Sequence, residues 1–183
     1  MRSIYKIVVC SLLTLSITSC EKDLLEKEQY QKEIYLIGAY NRVWTTEVSY
    51  SNEEVKTYFT VSSSGTLALD RDVNVKMKIN EELVDIYNKK YWTVLNEDKY
   101  YKSLDTDLYS IPSLENTVIK HAEGISAEVP VLIKTASLKI DQSYVIPVEI
   151  ESTTGYPISE SGYKMLILLK LKNDYSGSYQ MSG

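Results

Sequence analysis

Five consecutive apolar residues, Met165-Leu166-Ile167-Leu168-Leu169, constrain this chain more than any other stretch. Side chains alternate between the two faces of a strand, so a strand built from this run has no wet side. It fits a central strand covered above and below. Its neighbours show the half-buried pattern instead. Val73-Asn74-Val75-Lys76-Met77-Lys78-Ile79 alternates cleanly, with its apolar residues on one face. Residues 55–61 alternate and are rich in β formers, and Ser62-Ser63-Ser64-Gly65 behind them is a turn signal. Residues 34–40 predict a first strand, and further strands are expected at 117–119, 127–135, 143–150 and 163–171. Pro130 and Pro147 fall inside two of these. Proline has no N–H for a ladder, so each marks an edge, a bulge or a strand end.

One helix interrupts this pattern. Asn80 is a good N-cap, Glu81 and Glu82 suit the positive first turn, and Lys89 and Lys90 suit the negative end. Leu83, Ile86, Tyr87 and Tyr91 recur at helical spacing and make one apolar face. A helix this short does not persist alone in water, so that face must pack on the sheet. Residues 96–101 suggest a second brief helical turn. The expectation is a mainly β fold, an Ig-like β-sandwich with one short inserted helix.

The first residues carry an address. Arg2 and Lys6 precede an apolar run from Ile7 to Leu15, and Ile17-Thr18-Ser19-Cys20 follows. A basic start, an apolar middle and small residues before the cut are the anatomy of a secretory signal. The run is about half the roughly 20 residues that a transmembrane helix needs. The four residues ending at Cys20 also fit a bacterial lipobox, in which the cysteine is lipidated and becomes the mature N-terminus. The expected organisation is a signal at 1–19, a charged tether at 20–32 and a sandwich at 33–172. The expected location is the outer membrane, lipid-anchored and at the cell surface. Glu21-Lys22-Asp23 resembles the acidic surface-export signal of Bacteroidetes lipoproteins, or else is a plain solvated linker.

Charge narrows the partners. The net charge of −5 falls by a further two when Arg2 and Lys6 leave with the signal. That argues against nucleic acid and against a polybasic grip on anionic lipid. Of the 2 cysteines, Cys10 leaves with the signal and Cys20 is committed to lipid, so stability must come from packing without a disulfide. Tyrosine supplies most of the aromatics, 16 residues against 1 phenylalanine. Its ring packs while its hydroxyl meets water, which suits strands and half-wet surfaces.

The stretch VNVKMKINEELVDIYNKKY, from Val73 to Tyr91, carries a family resemblance, centred on Leu83, Val84, Asp85, Tyr87 and Asn88. Val94-Leu95, Tyr100, SYVIPVEIESTTG and ISESGYKMLILLKL agree with it. The chain resembles the N-terminal domain of unknown function that opens many Bacteroidetes surface lipoproteins. The resemblance implies a membrane-proximal β-sandwich in a glycan-utilisation system. In that family a carbohydrate-binding-like module or a glycoside hydrolase family 18 endo-β-N-acetylglucosaminidase barrel usually follows. Residues 173–183 look like the stub of such a module. The implied function is a non-enzymatic accessory for glycan binding, or a spacer. The alternative is the leader domain of a family 18 endoglycosidase whose catalytic module is missing.

Catalytic chemistry is hard to find in the residues. His121 is the one histidine, so a histidine-based triad or metal site has a single candidate with no patterned partner. No glycine-rich phosphate loop is present, and no carboxylate sits in a recognisable catalytic motif. Asp70-Arg71-Asp72 and Asp105-Thr106-Asp107 offer oxygen ligands for Ca²⁺ without the rest of a calcium loop. No metal or other cofactor is expected. The glycan-binding candidates are aromatic, because sugar rings stack their CH groups on flat faces. Trp92 follows Tyr91 just past the helix, Tyr100 and Tyr101 come shortly after, and Trp44 is the second tryptophan. Burial of both tryptophans in the core is the competing expectation.

Overall fold

The computed structural model describes residues 27–92 and 94–172. The expected signal, Cys20 and the expected stub at 173–183 lie outside the described residues. Ten strands are present among them: β1 (Ile34–Leu36), β2 (Val43–Ser49), β3 (Glu54–Ser63), β4 (Val73–Ile79), β5 (Lys102–Ser103), β6 (Tyr109–Ser110), β7 (Thr117–Ile119), β8 (Ser126–Lys134), β9 (Tyr144–Thr153) and β10 (Lys164–Lys172). The helix α1 spans Glu82–Tyr91.

The strands form two sheets. The small sheet runs β1-β3-β8-β6, and the large one runs β2-β10-β9-β4-β7, with β5 beside β9 past the end of β4. Pairing is antiparallel except between β2 and β10 and between β5 and β9. The core lies between the sheets. Phe59, Val61, Val129, Val131 and Ile133 of the small sheet pack with Val75, Met77, Ile146, Val148 and Ile167 of the large one, all buried.

The five-residue apolar run behaves as its composition requires. Met165, Ile167 and Leu169 of β10 enter the inter-sheet core. Leu166 and Leu168 point the other way and, with Val145 of β9, pack under Leu83, Val84 and Tyr87 of α1. The helix therefore covers the outer face of the large sheet over its two central strands, and the expected β-sandwich with one inserted helix is the architecture found.

Several local expectations shift. The first strand stops at Leu36, because Gly38 (φ 89°) turns the chain into a 3₁₀ turn at Ala39–Asn41. β2, β5 and β6 were not visible as patterned runs: β2 mixes exposed and half-buried positions, and the other two are two residues each. Asn80 makes the expected capping bond, one residue ahead of the position that directly precedes the helix. Its Oδ1 accepts the Glu82 N–H at 3.2 Å from one position earlier, while Glu81 occupies the cap position without a side-chain bond. The helical turn expected at 96–101 is a kinked 3₁₀ segment, Val94–Lys99.

The prolines sit where ladders are incomplete. Pro147 of β9 pairs with β10 on one side and falls between the reach of β5 and that of β4 on the other. Pro130 pairs with Tyr58 of β3, while β6 reaches only Ile133 and Leu132 on the far side. Within the stretch expected as a tether, Glu28 and Lys32 form an ion pair, and the Lys32 Nζ donates to the Leu67 carbonyl at 2.6 Å. Among the described residues no helix is long and apolar enough to cross a membrane.

Candidate functional site

The predicted aromatics assemble in part. On the outer flank of α1, Tyr87 stacks on Tyr101 with ring centroids 5.2 Å apart and an 11° tilt between planes. Tyr91 lies one turn further along the helix, on the opposite side of Tyr87, with centroids 4.5 Å apart at 34°. Spacing of four residues places Tyr87 and Tyr91 on one helix face. What brings Tyr101 to them is Asn88, which is buried. Its Nδ2 donates to the Tyr101 carbonyl at 2.9 Å, and its Oδ1 accepts the Tyr101 N–H at 3.0 Å. A side-chain amide thus pairs with a backbone amide as a neighbouring strand would. Burial, with the Tyr101 and Tyr91 phenols beside it, pushes the Tyr87 phenol up to about 12, so it stays a neutral donor.

Trp92 ends the helix, its N–H donating to the Asn88 carbonyl at 2.8 Å. The ring is half-buried, its Nε1 is enclosed with no hydrogen-bond partner among the described residues, and the Lys99 Nζ stands 5.7 Å from the ring centre. Of the predicted group, Tyr91 offers the most open face, 49 % exposed. Tyr100 is half-buried beside Tyr101. Trp44 is elsewhere. It lies on β2 next to Val43, whose side chain faces the helix layer, so strand alternation puts Trp44 on the opposite side. There it packs over Gly38: a Cβ on that glycine would come within 2.6 Å of the Trp44 ring.

A second aromatic surface was not anticipated. On the other flank of α1 is a cleft of about 250 Å³, between the helix, the 3₁₀ turn after β1 and the start of β10. Tyr40, Ile86, Tyr87 and Tyr163 line it, together with Arg42, Lys164 and Glu160. Tyr40 is 86 % exposed and Ile86 52 % exposed. No local sequence signal joins residues 40, 87 and 163; only the parallel pairing of β2 with β10 sets the turn before β2 beside the start of β10.

The acidic loops are committed internally. Asp70 takes a bidentate contact from Arg71, both bonds 2.9 Å, and the Tyr156 hydroxyl donates to it as well. Those contacts hold its carboxyl far below the usual carboxylate range. Asp72 accepts the His121 Nδ1–H at 2.6 Å and the His121 backbone N–H at 3.0 Å. His121 itself is half-exposed, as its place at a strand end suggests. Among the described residues no three of the His, Cys, Asp and Glu side chains gather as a metal site would require.

Residues 30–157 match the model of a family described as an N-terminal domain. The chain belongs to that family. Solved structures share its fold at low identity. A multidomain protein including DUF1735 from Bacteroides ovatus is 20% identical, with a TM-score of 0.59 over 75% of this chain and 43% of that one. An auxiliary nutrient binding protein from Bacteroides thetaiotaomicron is 17% identical, with a TM-score of 0.60 over 76% of this chain and 47% of that one. EndoBT-3987 of the same organism, solved with its Man5GlcNAc product, is 20% identical, with a TM-score of 0.54 over 75% of this chain and 30% of that one. The chain spans less than half the length of each. No curated protein matches it. The family is the one that the Val73 to Tyr91 segment resembles, so its strand-into-helix core is a family feature with a structural purpose: β4 delivers α1 onto β9 and β10.

Proposed function

We propose that this chain is a lipid-anchored, non-enzymatic module of a glycan-utilisation system, acting in glycan capture or as a spacer beneath a capturing partner. One observation carries the reading: a family match across the sandwich, with structural neighbours that include a nutrient binding protein and an enzyme solved with a glycan product. The tyrosine stack supports the binding role. Tyr91 presents a half-open ring backed by Tyr87, and a rigid aromatic face loses little entropy when a sugar stacks on it.

Lipid on Cys20 would hold the module at the outer membrane, facing the cell surface. One acyl chain gives marginal binding at about 0.8 kcal/mol per buried CH₂, whereas two or more anchor stably. Its partners in this reading are the membrane, glycans and an outer-membrane glycan-import complex. The match to EndoBT-3987 favours one alternative, the leader domain of an endoglycosidase with its catalytic module elsewhere.

The test is a glycan array probed with the chain from Glu21 onward, compared with Tyr91→Ala and Trp92→Ala. Loss of at least about tenfold in affinity in both variants is expected if the helix-end aromatics bind sugar. Silence across all glycans leaves the spacer. Mass spectrometry of the mature N-terminal peptide decides the anchor, and an unacylated terminus would refute it.

A further inference from the structure

The cleft beside α1 combines flat rings with spare positive charge. Arg42 and Lys164 line it, and neither has an acidic partner among the described residues. Some basic groups elsewhere are paired, Arg71 with Asp70, Lys76 with Glu151 and Lys120 with Glu123. What sets Arg42 and Lys164 apart is that both line one concavity, with the Lys164 Nζ 4.8 Å from the centre of the Tyr163 ring. Glu160 also lines the cleft and has no ion-pair partner among the described residues; it is at the rim shared with the groove over Lys78 and Glu149.

Arg42 carries a second signal. It is the one non-glycine residue at positive φ among the described residues, at 63°. Two backbone bonds clamp it there: its N–H donates to the Ala39 carbonyl, and its carbonyl accepts the Leu166 N–H, both at 2.8 Å. A left-handed backbone on a long side chain is strained, and such strain gathers at functional sites. The clamp fixes the backbone of Arg42 at the cleft, which Tyr40 also lines.

We propose that this cleft binds a saccharide carrying a carboxylate. The rings of Tyr40 and Tyr163 take the sugar faces. The planar guanidinium of Arg42 matches a carboxylate bidentately, and Lys164 adds a point charge. Glu160 accepts from sugar hydroxyls at the rim. A concave, largely apolar site with a few placed polar groups is the usual form of a small-ligand pocket. The proposal rests on the glycan reading above but is centred on Tyr40, Arg42 and Lys164, with Tyr87 bordering both this cleft and the helix-end stack.

The test is titration calorimetry on the full chain carrying Cys20→Ser. The probes are a linear oligogalacturonate, its fully methyl-esterified form, sialyllactose and a neutral oligosaccharide. Binding of the oligogalacturonate is expected, weakened about tenfold or more by methyl esterification and by Arg42→Asn, since a charge-assisted bond is lost in each case. Asparagine tolerates the left-handed backbone, so the variant keeps the turn. Tyr40→Ala, at an exposed ring, is expected to weaken binding to a similar degree. Lys56→Gln removes a charge from the exposed face of the small sheet and should leave affinity unchanged. Sialyllactose in place of the oligogalacturonate, with the same variant pattern, supports the site and identifies a terminal rather than a chain-internal carboxylate. Equal binding of the methyl ester, or full affinity in Arg42→Asn, overturns the proposal. So does binding of the neutral sugar alone, lost in Tyr91→Ala, which would leave the glycan reading intact. If nothing binds, this proposal fails, and the glycan array decides separately between capture and spacer.

Discussion

The two faces of the large sheet follow different rules. The inner face meets the small sheet, and its side chains are sealed: Val75, Ile146, Val148 and Ile167 are at most 1 % exposed. The outer face is divided. Over β9 and β10 the helix buries Val145 and Leu166, but its own Tyr87 and Tyr91 stay partly open. Over β4 and β9 the outer face is a charge ladder, with Lys76 2.7 Å from Glu151 and Lys78 3.7 Å from Glu149. A helix of ten residues cannot cover a six-strand face. What it leaves at its margins are aromatic rings and clefts. The sealed core is on one face of the sheet, and the open aromatic surfaces are on the other.

Adjacent residues of β10 put the sharpest strain on that comparison. Ile167 faces the inter-sheet core and Leu166 faces α1, at 1 % and 2 % exposure. Truncating a buried aliphatic side chain to alanine costs about 2–5 kcal/mol, more where the site cannot collapse. Ile167→Ala is expected near the upper end, about 4 kcal/mol by urea denaturation, because two sheets hold the cavity open. Leu166→Ala is expected nearer about 2 kcal/mol, since the helix can settle into the gap. Hydrogen exchange should show α1 amides losing protection in Leu166→Ala while β3 and β8 keep theirs. Equal costs with uniform loss of protection would mean that both faces form one cooperative core.

Asn88 tests whether the tyrosine stack is built or incidental. Asn88→Ala leaves the Tyr101 N–H and carbonyl without partners beside a buried helix face. Unmade buried bonds cost about 1–3 kcal/mol, and about 2 kcal/mol is expected here. The diagnostic readout is the near-ultraviolet tyrosine circular dichroism, which should fall as Tyr101 leaves Tyr87. An unchanged tyrosine signal would show that the rings hold each other without the amide.

The strong periods were legible because one physical demand set each of them. β3, β4, β8, β9 and β10 all lie within a few residues of their expected bounds, because alternation in β3 and β4 reports which face is dry and the unbroken apolar run of β10 reports that both are. The helix was equally plain from Leu83 to Tyr91. β2 was hidden because it is an edge strand whose Trp44, Thr45 and Glu47 face water, so no alternation reports its burial. The end of β1 was hidden because Gly38 reads as an ordinary strand glycine until the ring of Trp44 is known to press on it. For the candidate site, local sequence placed Tyr91 and Tyr101 near one helix end, and the structure links them through Tyr87, while the ring of Trp92 stands beside Lys99. It missed Tyr87 as the centre of the stack, having assigned it to the buried helix face. The cleft was beyond reach, because Tyr40 and Tyr163 meet only through strand pairing far apart in sequence.

The smallest expected effect concerns the rim of the large sheet, where Asp72 before β4 meets His121 after β7. The His121 side chain, and then its backbone N–H, holds the Asp72 carboxyl below its ordinary value. A carboxyl depressed in the folded state stabilises that state while ionised. Its contribution is therefore complete above the unfolded value of about 3.9 and is lost as pH falls through the lower folded value. Asp72→Asn should flatten this acid limb in a plot of Tm against pH. Both groups are about half exposed, so water screens the pair and the shift at neutral pH should be under about 2 °C. A loss at pH 7 comparable to that of Asn88→Ala would show that the rim, like the inner face, is part of what holds the sandwich shut. An unchanged acid limb would show that the contact forms no closer in the folded chain than in the unfolded one.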